Sequence, residues 1–138
     1  MRITKKFLNE LTYEIIGVAI EVHRHLGPGL LESVYHSCMQ EEFKLRDIPV
    51  KSQMVIPIEY KGLDLDALLR CDFLVDDLVV VELKSVEKVL PIHEAKLITY
   101  MKLLKIAKGI IINFNVTNIF KEGQKTFVNE LFRELPEM

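Results

Sequence analysis

Glu82 and Lys84 stand two residues apart in "VVVELKSV", an otherwise apolar run from Val79 to Val86. On a strand that spacing sends both side chains out of one face. Charged groups are rarely buried unless they are paired or bind a metal. The pair is therefore either an ion pair at a sheet end or part of a reactive site. A second carboxylate, Asp72, is embedded in the preceding apolar stretch "LLRCDFLV". Two carboxylates that converge across a hairpin lie about 5 Å apart at Cβ. At that distance one pKa rises unless a cation sits between them. Carboxylate oxygens suit a hard divalent ion such as Mg²⁺ or Mn²⁺. A lysine beside such an ion can orient a water or steady negative charge on a phosphate.

Convergence has a geometric condition. A strict two-residue turn at Asp76-Asp77 would pair Val75 with Leu78 and Asp72 with Val81. Asp72 would then face away from Glu82, because a one-residue slip reverses the face. A shared face requires a loop with an odd number of residues, or a bulge; three-residue loops are a common form. One of these is expected between Asp72 and Glu82.

Other candidates are weaker. Glu32, in "GPGLLESVY", falls in the first turn of a helix, where the dipole and the free N–H groups favour a carboxylate in any case. Tyr35, one turn on, is expected to be half-buried with its hydroxyl in water. His23 and His25 form an HxH, but residues two apart on a helix do not face each other. His93 stands near the start of a helix, as a cap or at a site edge. The lysines at 84, 88, 96, 102, 105 and 108 cluster in sequence and read as a solvated face or as part of a backbone-binding groove.

The elements that must position these residues follow from periodicity. Leu11, Ile15, Val18, Val22 and Leu26 recur at helical spacing, and Gly27-Pro28 ends that helix. A second helix is predicted from Leu30 or Leu31 to about Arg46, with Leu31, Val34, Tyr35 and Cys38 on one stripe. "VKSQMVIPIEYKG" reads as an edge or bulged strand because of Pro57. "ALLRCDFLV" and "LVVVELKSV" follow as strands. Pro91 opens a third helix whose apolar face runs through Ile92, Ala95, Leu97, Ile98, Met101, Leu103 and Leu104. "IIINF" is a strand buried on both faces. A turn at Glu122-Gly123, a short edge strand and a terminal helical turn close the chain. The order is α, α, β, β, β, α, β with a small β and α end. The third helix and its flanking strands form a crossover unit with parallel strands. The fold class is α/β: a three-layer-like sandwich with a mixed central sheet flanked by helices.

The chain has 138 residues, 49% apolar and 28% charged, which suits one domain spanning 1–138. A net charge of −2 argues against holding nucleic acid by bulk charge alone. Cys38 and Cys71 form no CxxC, which fits a reducing cytoplasm. No stretch forms an apolar signal core, and none approaches the roughly 20 residues of a membrane span.

"GLLESVY", Gly29 to Tyr35, resembles the pattern that names the GxxExxY family. "EVHRHLGPG", "CDFLVDDLVVVELKSV", "HEAKLITYMKLL" and "IIINFNV" resemble the same family, over roughly Leu11 to Val128. That family is similar to the PD-(D/E)XK nuclease-like superfamily, whose core is a restriction-endonuclease-like α-β-β-β-α-β arrangement. The resemblance implies metal-dependent hydrolysis of phosphodiester bonds in nucleic acid, DNA rather than RNA, with one or two Mg²⁺ or Mn²⁺ ions. It maps the superfamily carboxylates onto Asp72 and Glu82, the lysine onto Lys84 and the helix acid onto Glu32. It adds the backbone carbonyl of Leu83 as a metal contact. Cys71 stands where the motif has proline. Lys96 stands where relatives commonly carry glutamine, four residues before Tyr100, so the two share a helix face and reach toward the site. Lysine cannot accept a hydrogen bond as the glutamine oxygen does. It would hold a phosphate or pair with a site carboxylate, and a nearby cation opposes a second one. The alternative reading is a non-catalytic binding or assembly domain on the same fold, forming a homodimer through an apolar helix face or an edge strand.

Overall fold

The computed structural model describes residues 2–65 and 69–138. Ala67 and Leu68, at the start of the predicted strand "ALLRCDFLV", lie outside the described residues. Helix α1 (Lys5–Leu26) begins at Thr4, whose hydroxyl accepts the Phe7 N–H at 3.0 Å. It stops at Gly27, where φ is 71°, a conformation that glycine adopts without a Cβ penalty. Helix α2 (Glu32–Leu45) follows the Gly-Pro-Gly turn. Then come β1 (Val50–Val55), a separate hairpin of β2 (Glu59–Tyr60) and β3 (Leu63–Asp64), β4 (Arg70–Val75) and β5 (Val79–Lys84). Helix α3 (Pro91–Leu104) leads to β6 (Lys108–Asn113). A π-helical turn (Ile119–Gly123), β7 (Gln124–Val128) and α4 (Glu130–Arg133) complete the order.

Five strands form the main sheet in the order β1-β4-β5-β6-β7. β5 and β6 are parallel and the other neighbours antiparallel, so the sheet is mixed, as the crossover through α3 required. β1 is an edge strand, and Pro57 falls beyond its end, where it breaks no ladder.

Two cores sandwich this sheet. On one face Phe73, Val75, Val79, Val81, Leu83, Ile110 and Ile112 pack on α1 and α2. On the other, Leu74, Val80 and Ile111 pack on Leu97, Tyr100 and Met101 of α3. The alternation sends Glu82, between Val81 and Leu83, toward α3. Gly109 lets α3 lie close on β6, because a Cβ there would meet the Met101 sulfur at 2.7 Å.

Several predicted faces were wrong. In α2 the buried stripe is Tyr35, Met39 and Phe43, while Leu31 and Val34 are exposed. In α3 only Leu97, Tyr100 and Met101 are buried, and Ile92 and Ile98 face out. An apolar residue type alone does not say which side of a short helix meets the sheet. The last turn before β7 is a π-helical turn rather than a tight hairpin turn.

Candidate functional site

The loop between β4 and β5 decides whether a site exists. Val75 pairs with Val79, Leu74 with Val80 and Phe73 with Val81. Asp76, Asp77 and Leu78 are left as a three-residue loop, the odd count that convergence required. Asp76 and Asp77 both take positive φ, 52° and 56°, which aspartate tolerates, and the Leu78 N–H closes on the Val75 carbonyl at 2.9 Å. Continuing this register sets Asp72 across from Glu82.

Beyond Phe73–Val81 the β4–β5 ladder ends and carboxylates take over. Asp72 Oδ2 accepts the Leu83 N–H at 2.7 Å, and the Asp72 N–H donates to Glu82 Oε2 at 3.4 Å. Glu82 is buried, at 7% exposure. Burial, reinforced by the hydrogen bond and the charge of Asp72, pushes its carboxyl up to about 9; Lys96 pulls partly the other way. Among the described residues Glu82 Oε1 is the one buried side-chain polar atom with no hydrogen-bond partner. Leaving such an atom unsatisfied costs on the order of 1–3 kcal/mol.

The helices bring the remaining charges. The α1–α2 turn is tied to the end of β5 by Ser85, whose hydroxyl donates to the Leu30 carbonyl at 2.6 Å. That tie carries Glu32, the first residue of α2, to the mouth of the site. Glu32 is raised by its own burial and by Asp72, against Lys84, Lys96 and His36, so all four lie within electrostatic reach. From α3, Lys96 places its ammonium 5.4 Å from the Tyr100 ring centroid. Burial lowers the Lys96 pKa, but Tyr100, Glu82 and Asp72 outweigh it and the net shift is upward. Lys96 and Tyr100 thus share the face that points at the carboxylates. His93 is a cap: its Nδ1 accepts the Leu90 N–H at 3.0 Å. Burial and the nearby Lys84 and Lys96 hold its pKa down.

Tyr35 is not half-wet. It is fully buried; its hydroxyl donates to the Gly27 carbonyl at 2.6 Å and accepts the Leu30 N–H at 3.1 Å. Its ring stacks on Phe114 at 4.3 Å. Tyr35 therefore holds the turn that delivers Glu32. Nor do the histidines of the HxH act together. His23 Nε2 bonds the Val116 carbonyl at 2.8 Å, and His25 pairs with Glu21 at 2.9 Å.

Sequence reasoning missed three residues at this end of the sheet. Asn113 is a buried amide whose Oδ1 accepts the Val86 N–H and whose Nδ2 donates to the Val86 carbonyl, so it fixes the segment leaving β5. A polar residue ending the apolar run "IIIN" was its signal. His36, one helical turn after Glu32, has Nε2 3.2 Å from the Asp72 carbonyl and stacks on Phe73 at 4.3 Å. The i,i+4 spacing from Glu32 pointed to it. Gln53 has a positive φ of 52° within β1, and nothing in the sequence announced that.

The site can thus hold a hard cation in chemical terms: adjacent oxygen donors, one of them buried and unpartnered. Asp72 and Glu82 are the natural pair. Among the described residues no three His, Cys, Asp or Glu side chains are already gathered as a ligand set, so Glu32 stands near the pair rather than in it.

A mixed sheet between helices, with two carboxylates and a lysine at one sheet end, defines a restriction-endonuclease-like α/β fold. Residues 9–127 match the family model of the PD-(D/E)XK nuclease superfamily, and the chain belongs to that superfamily. No curated protein and no solved structure gives a match.

Proposed function

We propose that the chain hydrolyses phosphodiester bonds in nucleic acid, DNA before RNA, at the cluster of Asp72, Glu82 and Lys84. The observation that carries this reading is Glu82: buried, raised to about 9, beside a second carboxylate and with one oxygen unpartnered. An apolar or amide residue there would cost less, so the arrangement makes sense if a cation completes it. Mg²⁺ or Mn²⁺, one ion or two, would be held by Asp72 and Glu82, with Glu32 closing from α2 and the Leu83 carbonyl from β5. Bound there, the ion supplies Lewis acidity toward a phosphate and a more acidic water. The Leu83 N–H leaves β5 on the β4 side, and the carbonyl of the same residue leaves on that side too. Lys84, on the Glu82 face, orients the attacking water and steadies charge on the phosphate oxygens. Lys96 supplies a second cation for the phosphate, held beside the buried Tyr100 ring, and His93 stands at the edge of the approach.

Labelled single-stranded, duplex and branched DNA incubated with Mg²⁺ or Mn²⁺ tests the reading. The wild type is expected to cut, and the Asp72→Ala, Lys84→Ala double variant is not. If the wild type cuts no better than that variant, catalysis on those substrates is refuted.

One observation favours a second reading. Lys96 already interacts with both carboxylates, so the cluster can serve as a structural network in a non-catalytic binding or assembly domain, as a monomer or as a homodimer. Calorimetric titration with Mn²⁺ separates the two: binding lost in Glu82→Ala supports the enzyme, whereas no binding by a folded wild type supports the network. No described helix is long and apolar enough to cross a membrane.

A further inference from the structure

On the α2 side of Asp72 lies a cleft of about 460 Å³ lined by Glu32, Ser33, His36, Ser37, Gln53 and Asp72. Its floor is a kink shared by two strands. In the β1–β4 ladder Ser52 pairs with Phe73 and Met54 with Cys71, yet Gln53 and Asp72, in register between them, do not pair. Phe73 packs toward α1 and α2, whereas Cys71, two residues back, packs toward α3. β1 turns over at the same step: Ser52 reaches His36 on α2, and Met54 packs on the α3 side. Gln53 takes a φ of 52° to make this turn, in the left-handed region where a β-strand residue with a long side chain is strained.

The kink brings donors to the cleft. His36 Nε2 lies 3.2 Å from the Asp72 carbonyl, 3.3 Å from Ser52 Oγ and 3.3 Å from Gln53 Nε2. A neutral imidazole nitrogen either donates or accepts. The Asp72 carbonyl can only accept from Nε2 and the Gln53 amide nitrogen can only donate to it, so the tautomer decides which of the two bonds forms. The Gln53 NH₂ carries two hydrogens, so in either tautomer at least one stays free of His36, on an exposed side chain in the cleft that Ser33 and Ser37 also line. The cleft thus offers uncharged donors next to the carboxylates, the chemistry that takes a phosphodiester oxygen without reading a base.

We propose that this cleft seats the substrate strand, with the Gln53 amide and the Ser33 and Ser37 hydroxyls holding the backbone phosphate that neighbours the scissile one. The proposal rests on the nucleic-acid reading above and adds where the strand continues from the scissile phosphate: over the β1 kink and α2. Gln53 then joins local strain and ligand contact, which tend to occur together at functional sites.

The test measures the melting temperature of each protein and its affinity for a fluorescein-labelled single-stranded oligothymidine, with Ca²⁺ in place of Mg²⁺. Gln53→Gly relieves the left-handed strain and removes the amide. It is expected to weaken binding about tenfold, the worth of a hydrogen bond to a charged group, while the melting temperature stays level or rises. Because the amide is neutral, the slope of log Kd against log salt should not change; Lys84→Ala should flatten it by about 0.7. Unchanged affinity in Gln53→Gly overturns the proposal, as does a loss of affinity that runs in step with a fall in melting temperature. Binding by wild type that Gln53→Gly leaves intact overturns this proposal alone. No binding by wild type overturns it together with the nucleic-acid reading.

Discussion

Glu82 and Lys108 are both charged side chains buried in the same parallel strand pair, at opposite ends of it. Glu82 pairs in register with Ile111 near the end of β5, and Lys108 with Val79 at the start. They are 7% and 6% exposed. Lys108 is provided for: its ammonium donates to Asn9 Oδ1 at 2.5 Å and lies 5.3 Å from the Phe132 ring centroid. Burial alone lowers its pKa. Glu82 has a like charge as its closest partner and one oxygen with none. Burial of a charge is therefore not the mark of a site. The mark is a buried charge whose surroundings leave it worse off than they need to; under the proposed function the missing partner is a cation from outside the chain.

Substitutions at the two ends should behave differently. The largest effect is expected at the Glu82 end. Asp72→Ala or Lys84→Ala should each lower DNA cleavage on the order of a thousandfold, read as initial rates with Mg²⁺, with the fold intact by circular dichroism. Equal rates in wild type and both variants would make the two ends alike.

Next is Lys96→Gln, which removes the cation that offsets both carboxylates. Mn²⁺ affinity by calorimetry should rise about tenfold. An unchanged or lower affinity would mean that Lys96 does not compete with a metal.

A smaller effect concerns stability. The Glu82 carboxyl is raised from 4.5 to about 9 in the fold. The folded state thus holds this proton more tightly than the unfolded chain does. The stability that goes with it is complete below about pH 4.5 and is lost as pH rises through about 9. In EDTA, Glu82→Gln should therefore melt higher than wild type at pH 8, with the gap closing toward pH 4.5. A gap independent of pH would place the proton elsewhere.

The smallest effect belongs to Lys108. Lys108→Met keeps the apolar stem, and replacing a buried charge by a matched apolar group is often neutral. Stability by urea melting should stay within about 1 kcal/mol of wild type and cleavage should not change. A loss of cleavage would give Lys108 a role that its contacts do not suggest.

How much of this was legible beforehand varies by level. The order of the main elements and the parallel β5–β6 pair followed from apolar periodicity, Gly27-Pro28 and Pro91, because those signals are local; the small β2–β3 hairpin did not. Helix faces did not follow: Leu31 and Ile92 look like core residues and are exposed. Which face of a short helix is buried depends on the sheet it meets. Lys108 was grouped with solvated lysines, although it starts a buried strand and finds Asn9 across 99 residues of chain.

For the site, residue types and spacing alone determined that Glu82 and Lys84 share a face, and that Asp72 could join them only across a loop with an odd count or a bulge. The three-residue loop, with both aspartates in left-handed conformations, is a property of the folded hairpin. So is the kink at Gln53, since nothing in the residue type demands a positive φ there; the packing of Cys71 and Phe73 on opposite sides of the sheet imposes it. Local sequence chooses which chemistry is present, because residue type and strand period are local. Only the tertiary structure decided which groups meet, which of them lose water and which are left without a partner, because burial and register are set by residues far away in the chain.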